Sequence, residues 1–257
     1  LPAAAEPDLK QLSSYDFDKS RPLADRVVEM PPWLLKAWRE MDASPQYAPY
    51  IPKEKEKREF DRNLALLPRP IRDAMADRLI AFYFIENLKG NGLTDWVLDA
   101  SSRCYVYIAI NPVVFRQTLA QTIAERDQSV FRGTVDLQVD AGKGDGGIVY
   151  ALAHEGLHTY DYIVGISPFT EPDVAWHRPK PALPWESWSA YDSPVAESDF
   201  PARARLKFYG FKPPELEAAQ AAQVYRALAQ SPFISLYGTR NWADDAAELF
   251  VLQHLTR

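Results

Sequence analysis

His154-Glu155-Gly156-Leu157-His158 is the stretch on which the fold turns. Residues four apart lie one above the other on a helical face, so both imidazoles can converge on one tetrahedral Zn²⁺ at about 2.0 to 2.1 Å. The remaining positions go to a third protein ligand and to a water, whose pKa the metal lowers from about 15.7 toward about 7. Glu155 would face that water, take its proton and hand it to a leaving amine, a task that needs a carboxylate. Two of the chain's four histidines fall in these five residues. The competing reading is a buried helix carrying two incidental histidines.

The flanks decide whether the motif sits on a helix. Thr134-Val135-Asp136-Leu137-Gln138-Val139 alternates like a half-buried strand, and Asp140 to Gly147 is turn-like. A helix is predicted to start there. Ile148, Leu152, Thr159 and Ile163 mark one helical face; Ala151, His154, His158 and Asp161 mark its neighbour. The glycine run from Gly142 to Gly147 lacks the Gly-Lys-Ser/Thr ending of a phosphate loop, so it reads as a tight turn with Asp145 as a capping acid. A Ser-His-Asp triad would need a Gly-x-Ser-x-Gly elbow, and none occurs.

A third ligand must come from elsewhere. The metzincin pattern needs one six residues after His158, where Val164 stands, so that branch is excluded. Far downstream, Tyr237 is followed by Asn241 four residues on, Asp244 three after that, and Ala247-Glu248-Leu249-Phe250. This segment reads as a second active-site helix. Together with the HExxH motif it resembles the anthrax lethal factor-like group of gluzincin metallopeptidases. The resemblance covers the two active-site helices and the segment before the first, not the N-terminal third.

The resemblance implies an α+β, zincin-like catalytic domain with a small mixed sheet and one Zn²⁺ as cofactor. It implies Asp244 as third ligand, Tyr237 as hydroxyl donor to the transition state, and Glu248 with Asn241 as supports behind the ligands. The family pattern has glutamate where this chain has Asp244, one methylene shorter. Glu248 lies on the same helical face as Asp244 and is the alternative ligand, and His177 is another.

At 257 residues and 47% hydrophobic content the chain can bury a large core. We expect an N-terminal arm and helical region over residues 1–92 packed on a catalytic domain over 93–257. The net charge of -6, with no basic stripe, argues against a nucleic-acid partner. No apolar run approaches the 18 to 20 or so residues of a spanning helix. Leu1-Pro2-Ala3-Ala4-Ala5-Glu6-Pro7 reads like what remains after a leader is removed, so a periplasmic or secreted location is the expectation. Cys104 is the single cysteine, so no intrachain disulfide forms, and it reads as a small packed hydrophobe.

Elsewhere the pattern predicts a helix from Pro31-Pro32 through Met41, and a solvated helix face over Lys53 to Glu59. Ile71, Met75, Leu79, Phe82 and Ile85 at helical spacing predict a long helix ending near Gly90-Asn91-Gly92. Strands are expected at Trp96–Ala100 and Tyr105–Ile110, then a helix over Gln117–Gln128. Ser167 to Pro201, dense in proline and aromatics, reads as an ordered lid from which His177, Trp185 and Trp188 could reach substrate; the alternative is that its tryptophans only cover the core.

The expected function is zinc-dependent hydrolysis of a peptide or protein substrate, with an edge strand pairing the extended chain. Two alternatives stay open: a catalytically inactive zincin-fold binding or structural protein, and an amidase acting on envelope peptides.

Overall fold

The computed structural model describes residues 7–142, 144, 146–168 and 186–255. Its centre is a four-stranded mixed sheet in the order β1-β2-β4-β3, formed by β1 (Ala48–Tyr50), β2 (Leu79–Glu86), β3 (Gly92–Leu98) and β4 (Cys104–Ile110). β2 runs parallel to β4, whereas β1 and β3 run antiparallel to β2 and β4 respectively. β3 is therefore an edge. Every residue of β4 and all but the last of β2 are buried, as expected of strands covered on both faces, which read as continuous apolar runs.

Helices α2 (Glu54–Leu66), α3 (Arg69–Arg78), α5 (Gly147–Val164) and α7 (Trp242–Leu255) cover one face. On the other, α1 (Pro32–Met41) and the N-terminal arm pack Tyr15, Leu34 and Trp38 against Tyr83, Val97 and Tyr107. α4 (Leu119–Gln128) packs on α5, and α6 (Ala221–Leu228) belongs to a third apolar cluster around Phe208, Phe233 and Leu236. Fully burying each such large apolar side chain contributes about 1.5–3 kcal/mol. No helix among the described residues is long and apolar enough to cross a membrane.

Two expectations need correction. The helix predicted over Ile71 to Ile85 ends at Arg78, and Leu79, Phe82 and Ile85 lie on β2. Their spacing of three suits a helix, but Leu79-Ile80-Ala81-Phe82-Tyr83-Phe84-Ile85 is apolar without interruption and buried on both faces, which is a strand's pattern in a covered sheet. Buried Arg26 finishes α3, donating to the carbonyls of Met75, Ala76 and Leu79.

The strand predicted over Thr134 to Val139 does not form; only Phe131–Arg132 pairs, with Leu216–Glu217. Val135, Leu137 and Val139 are half-buried and their neighbours exposed, so the alternation is real, but no adjacent strand supplies a ladder. The division at residue 92 also runs through the sheet: β1 and β2 precede it, and β2 pairs with β4 beyond it. The N-terminal region thus contributes strands as well as helices.

α5 begins where the motif requires. A Cβ at Gly147 would sit 2.1 Å from Thr122 Oγ1 and 3.1 Å from the Val114 carbonyl, so only glycine lets the helix start this close to α4. Asp145, expected to cap it, lies outside the described residues.

Candidate metal centre

α5 carries His154 and His158 toward α7 and Glu155 toward β3, and α7 brings Asp244 in its first turn. Ala246 and Ala247 are buried at this contact, and small side chains let two helices approach closely. His154 Nε2 and His158 Nε2 are 3.1 Å apart, and Asp244 Oδ1 is 3.4 Å from each. Ligand atoms about 2.0 to 2.1 Å from a tetrahedral ion are about 3.3 to 3.4 Å from one another. The three atoms therefore mark three corners of such a tetrahedron, and this buried group could hold a metal ion.

The second carboxylate oxygen of Asp244 is held away from the centre. Asn241 Nδ2 donates to Oδ2 at 2.7 Å and Arg240 Nη1 at 3.0 Å. Asn241 Oδ1 meanwhile accepts from the Asp244 backbone N–H at 2.8 Å, so one side chain both caps α7 and fixes the Asp244 carboxylate. Burial opposes ionisation of Asp244, but Arg240 and the two histidines outweigh it and hold the carboxyl well below its usual range. It stays an anion.

Glu248, one turn further along, faces the back of His154. Its Oε1 accepts from Tyr150 Oη at 2.6 Å, and its Oε2 from Arg126 Nη1 at 2.7 Å and Ser235 Oγ at 2.6 Å. Oε1 also lies 3.2 Å from His154 Nδ1, close enough to pair with it although off the line of a good hydrogen bond. A carboxylate behind a ligand histidine fixes the ring so that its other nitrogen faces the metal. With its oxygens engaged, Glu248 supports the centre and is not a ligand in this arrangement. Burial pushes its pKa up, but Arg126, His154 and Ser235 bring it down to about 2. His154 moves the other way, to about 10, because Asp244 and Glu248 overcome the desolvation that would lower it.

Glu155 is 4% exposed. Thr94 Oγ1, on β3, lies 2.8 Å from its Oε2 and 3.1 Å from its backbone carbonyl, which steers the carboxylate. A Cβ on Gly92 would come within 2.8 Å of Glu155 Cγ and Oε1, so glycine makes room for the catalytic candidate. Tyr237 sits in a short 3-10 turn before α7, its ring 5.6 Å from that of His154 and walled by Phe208 and Tyr209. Arg240 Nη1 donates to its hydroxyl oxygen. Burial, reinforced by Asp244, raises the Tyr237 pKa far above 10, so the group remains a proton donor.

These residues line a cleft of about 440 Å³, walled by α5, the start of α7, the edge strand at Gly92 to Asp95, and the end of α1 at Trp38 and Met41. Trp188, which the sequence places either against substrate or over the core, is buried in the third apolar cluster and donates to Asp245 Oδ2 at 3.0 Å. His177 and Trp185 lie outside the described residues.

Sequence reasoning missed four contributors. Arg126, 2% exposed, gives no local signal, since Arg126-Asp127 reads as an ordinary helix charge pair. Thr94 and Gly92 were hidden by reading Gly90-Asn91-Gly92 as the end of a helix. Arg240 had a usable signal: it precedes Asp244 by four, the spacing at which opposite charges meet on a helical turn. No known protein family, curated protein or solved structure matches the chain.

Proposed function

We propose that the protein is a zinc-dependent peptidase. The observation that carries this reading is the triangle of His154 Nε2, His158 Nε2 and Asp244 Oδ1, with edges of 3.1, 3.4 and 3.4 Å. Two imidazoles and one carboxylate suit Zn²⁺, which in catalytic sites takes three protein ligands and keeps one position open. Zn²⁺ bound there would polarise a carbonyl and bring the pKa of a water down to about 7.

The chain's own groups supply the rest. Glu155 takes the proton of the attacking water and returns it to the departing amine, with Thr94 aiming its carboxylate. Tyr237 donates to the oxyanion; because Arg240 donates into the phenol oxygen, the phenol's own hydrogen is free to turn into the cleft. Glu248 orients His154, and Asn241 with Arg240 keeps Asp244 presenting a single oxygen. The open edge of β3 beside Glu155 offers backbone groups to an extended peptide.

A mixed peptide library with cleavage read by mass spectrometry, run beside elemental analysis, tests the proposal. Glu155→Gln should keep its metal and lose hydrolysis by about 10²-fold or more. Asp244→Ala should lose the metal. Full activity in Glu155→Gln removes Glu155 as the base, and unchanged metal in Asp244→Ala removes Asp244 as a ligand. Metal uptake by the native chain with no peptide cleaved would favour a binding protein.

A further inference from the structure

The edge of β3 is only partly open, and the hydrogen-bond parity of the strand says where. In an antiparallel pair, alternate residues exchange bonds with the neighbouring strand, and those between turn N–H and C=O outward. Just beyond each end of the β3–β4 ladder, Asn111 N donates to Asn91 O at 3.0 Å and Asp99 N donates to Arg103 O at 3.0 Å. Both continue the register of the ladder, in which Gly92 faces Ile110 and Leu98 faces Cys104. The residues bonded to β4 are thus Leu93, Asp95 and Val97. Gly92, Thr94, Trp96 and Leu98 face outward.

The outward groups at one end are already taken by this chain. Leu98 N donates to Lys10 O at 2.8 Å, where the N-terminal arm forms a parallel bridge between Gln11 and Leu98. Trp96 N donates to Asp95 Oδ1 at 2.8 Å, and Lys10 Nζ reaches the Trp96 carbonyl at 3.4 Å. The same ammonium pairs with Asp95 Oδ1 at 2.6 Å and lies 4.2 Å over the Trp96 ring. At Gly92 and Thr94 the outward backbone groups meet no partner among the described residues, and both residues line the cleft against Glu155.

We infer that the Lys10–Asp95 pair is a length-limiting stop: an extended peptide pairs with the outward groups of Gly92 and Thr94 and is turned off β3 at Trp96. This rests on the peptidase reading for its occupant. Strand residues advance about 3.3 Å each, so Trp96 lies about 7 Å past Thr94 and the closed end begins within two residues of the groups that touch Glu155. Lys10 and Asp95 touch neither metal nor reacting atoms; they determine how much peptide the edge accepts.

The test is a series of peptides lengthened one residue at a time on either side of a mapped cleavage site. Hydrolysis is followed with the zinc-loaded native chain, and affinity is followed separately in a Glu155→Gln background, where peptide stays intact. On the side facing Trp96, both kcat/KM and affinity should stop rising after about two residues, the reach of the open edge. In Lys10→Ala, and further in Lys10→Ala/Asp95→Ala, added residues on that side should raise affinity by about two- to tenfold, the net worth of one regained backbone hydrogen bond. Should the double variant fail to fold, Asp95→Ala decides, since it removes both the partner of Lys10 and the acceptor of Trp96 N.

Gains that continue past the limit in the native chain, or a length dependence unchanged by Asp95→Ala and by the double variant, would overturn the stop. A length limit in binding without any hydrolysis would keep the stop and sink the peptidase reading. Absence of both would sink both.

Discussion

At the residue scale, Asp244 presents one carboxylate oxygen to both histidines, its Oδ1 lying 3.4 Å from each Nε2. Asp244 lies in the first turn of α7, and Asn241 and Arg240 pin its distal oxygen. The paired histidines and Glu155 were legible in the sequence, since their geometry depends only on a local helical period. Gly92 and Thr94 were not, because they meet Glu155 from a strand about sixty residues away in the chain. His154 carries a pH prediction. A metal takes the neutral ring, and the metal-free ring holds its proton up to about 10, so binding must release that proton. Below that pH, affinity should fall about tenfold for each pH unit of acidification, and near pH 7 about one proton should leave per metal bound. Calorimetry in buffers of differing ionisation enthalpy checks this. Affinity that is flat from about pH 6 to about 9 would contradict the coupling of His154 to Asp244 and Glu248.

Elements carried the site further than their sequence patterns revealed. α5 was readable from its apolar spacing and α1 from its first-turn proline, but the boundary between α3 and β2 was not, because Ile71 through Ile85 satisfies a helical period while its second half is apolar at every position. The Thr134 to Val139 segment has a strand's alternation and no neighbour to pair with, a fact decided only by what packs beside it. α4 holds the least legible contribution. Its Arg126 is buried, bonded to Glu248, Tyr150 and Asp127, and thereby fixes the carboxylate behind His154. Arg126→Met would keep most of the volume and leave Glu248 and Asp127 buried without their cation. We expect a loss of about 3–5 kcal/mol in urea unfolding, together with weakened metal binding. A loss below about 1 kcal/mol would mean that water or another cation replaces Arg126 at little cost.

At the scale of the whole molecule, the sheet takes strands from both sides of residue 92, and the cleft takes one wall from the end of α1 and another from α7. The α+β class was legible from the mixture of helical and strand periods, but the integration of the first ninety residues was not, since Leu79, Phe82 and Ile85 satisfy a helical period while lying on β2. The centre joins α5 to α7 through three side chains whose acceptor atoms converge on one point. Anomalous diffraction at the zinc edge from crystals of the full chain equilibrated with Zn²⁺ tests that convergence most directly. We expect one strong peak per chain, about 2.0 to 2.1 Å from His154 Nε2, His158 Nε2 and Asp244 Oδ1. No peak at that point, or a peak elsewhere with these three atoms unliganded, would contradict the metal centre and the function built on it.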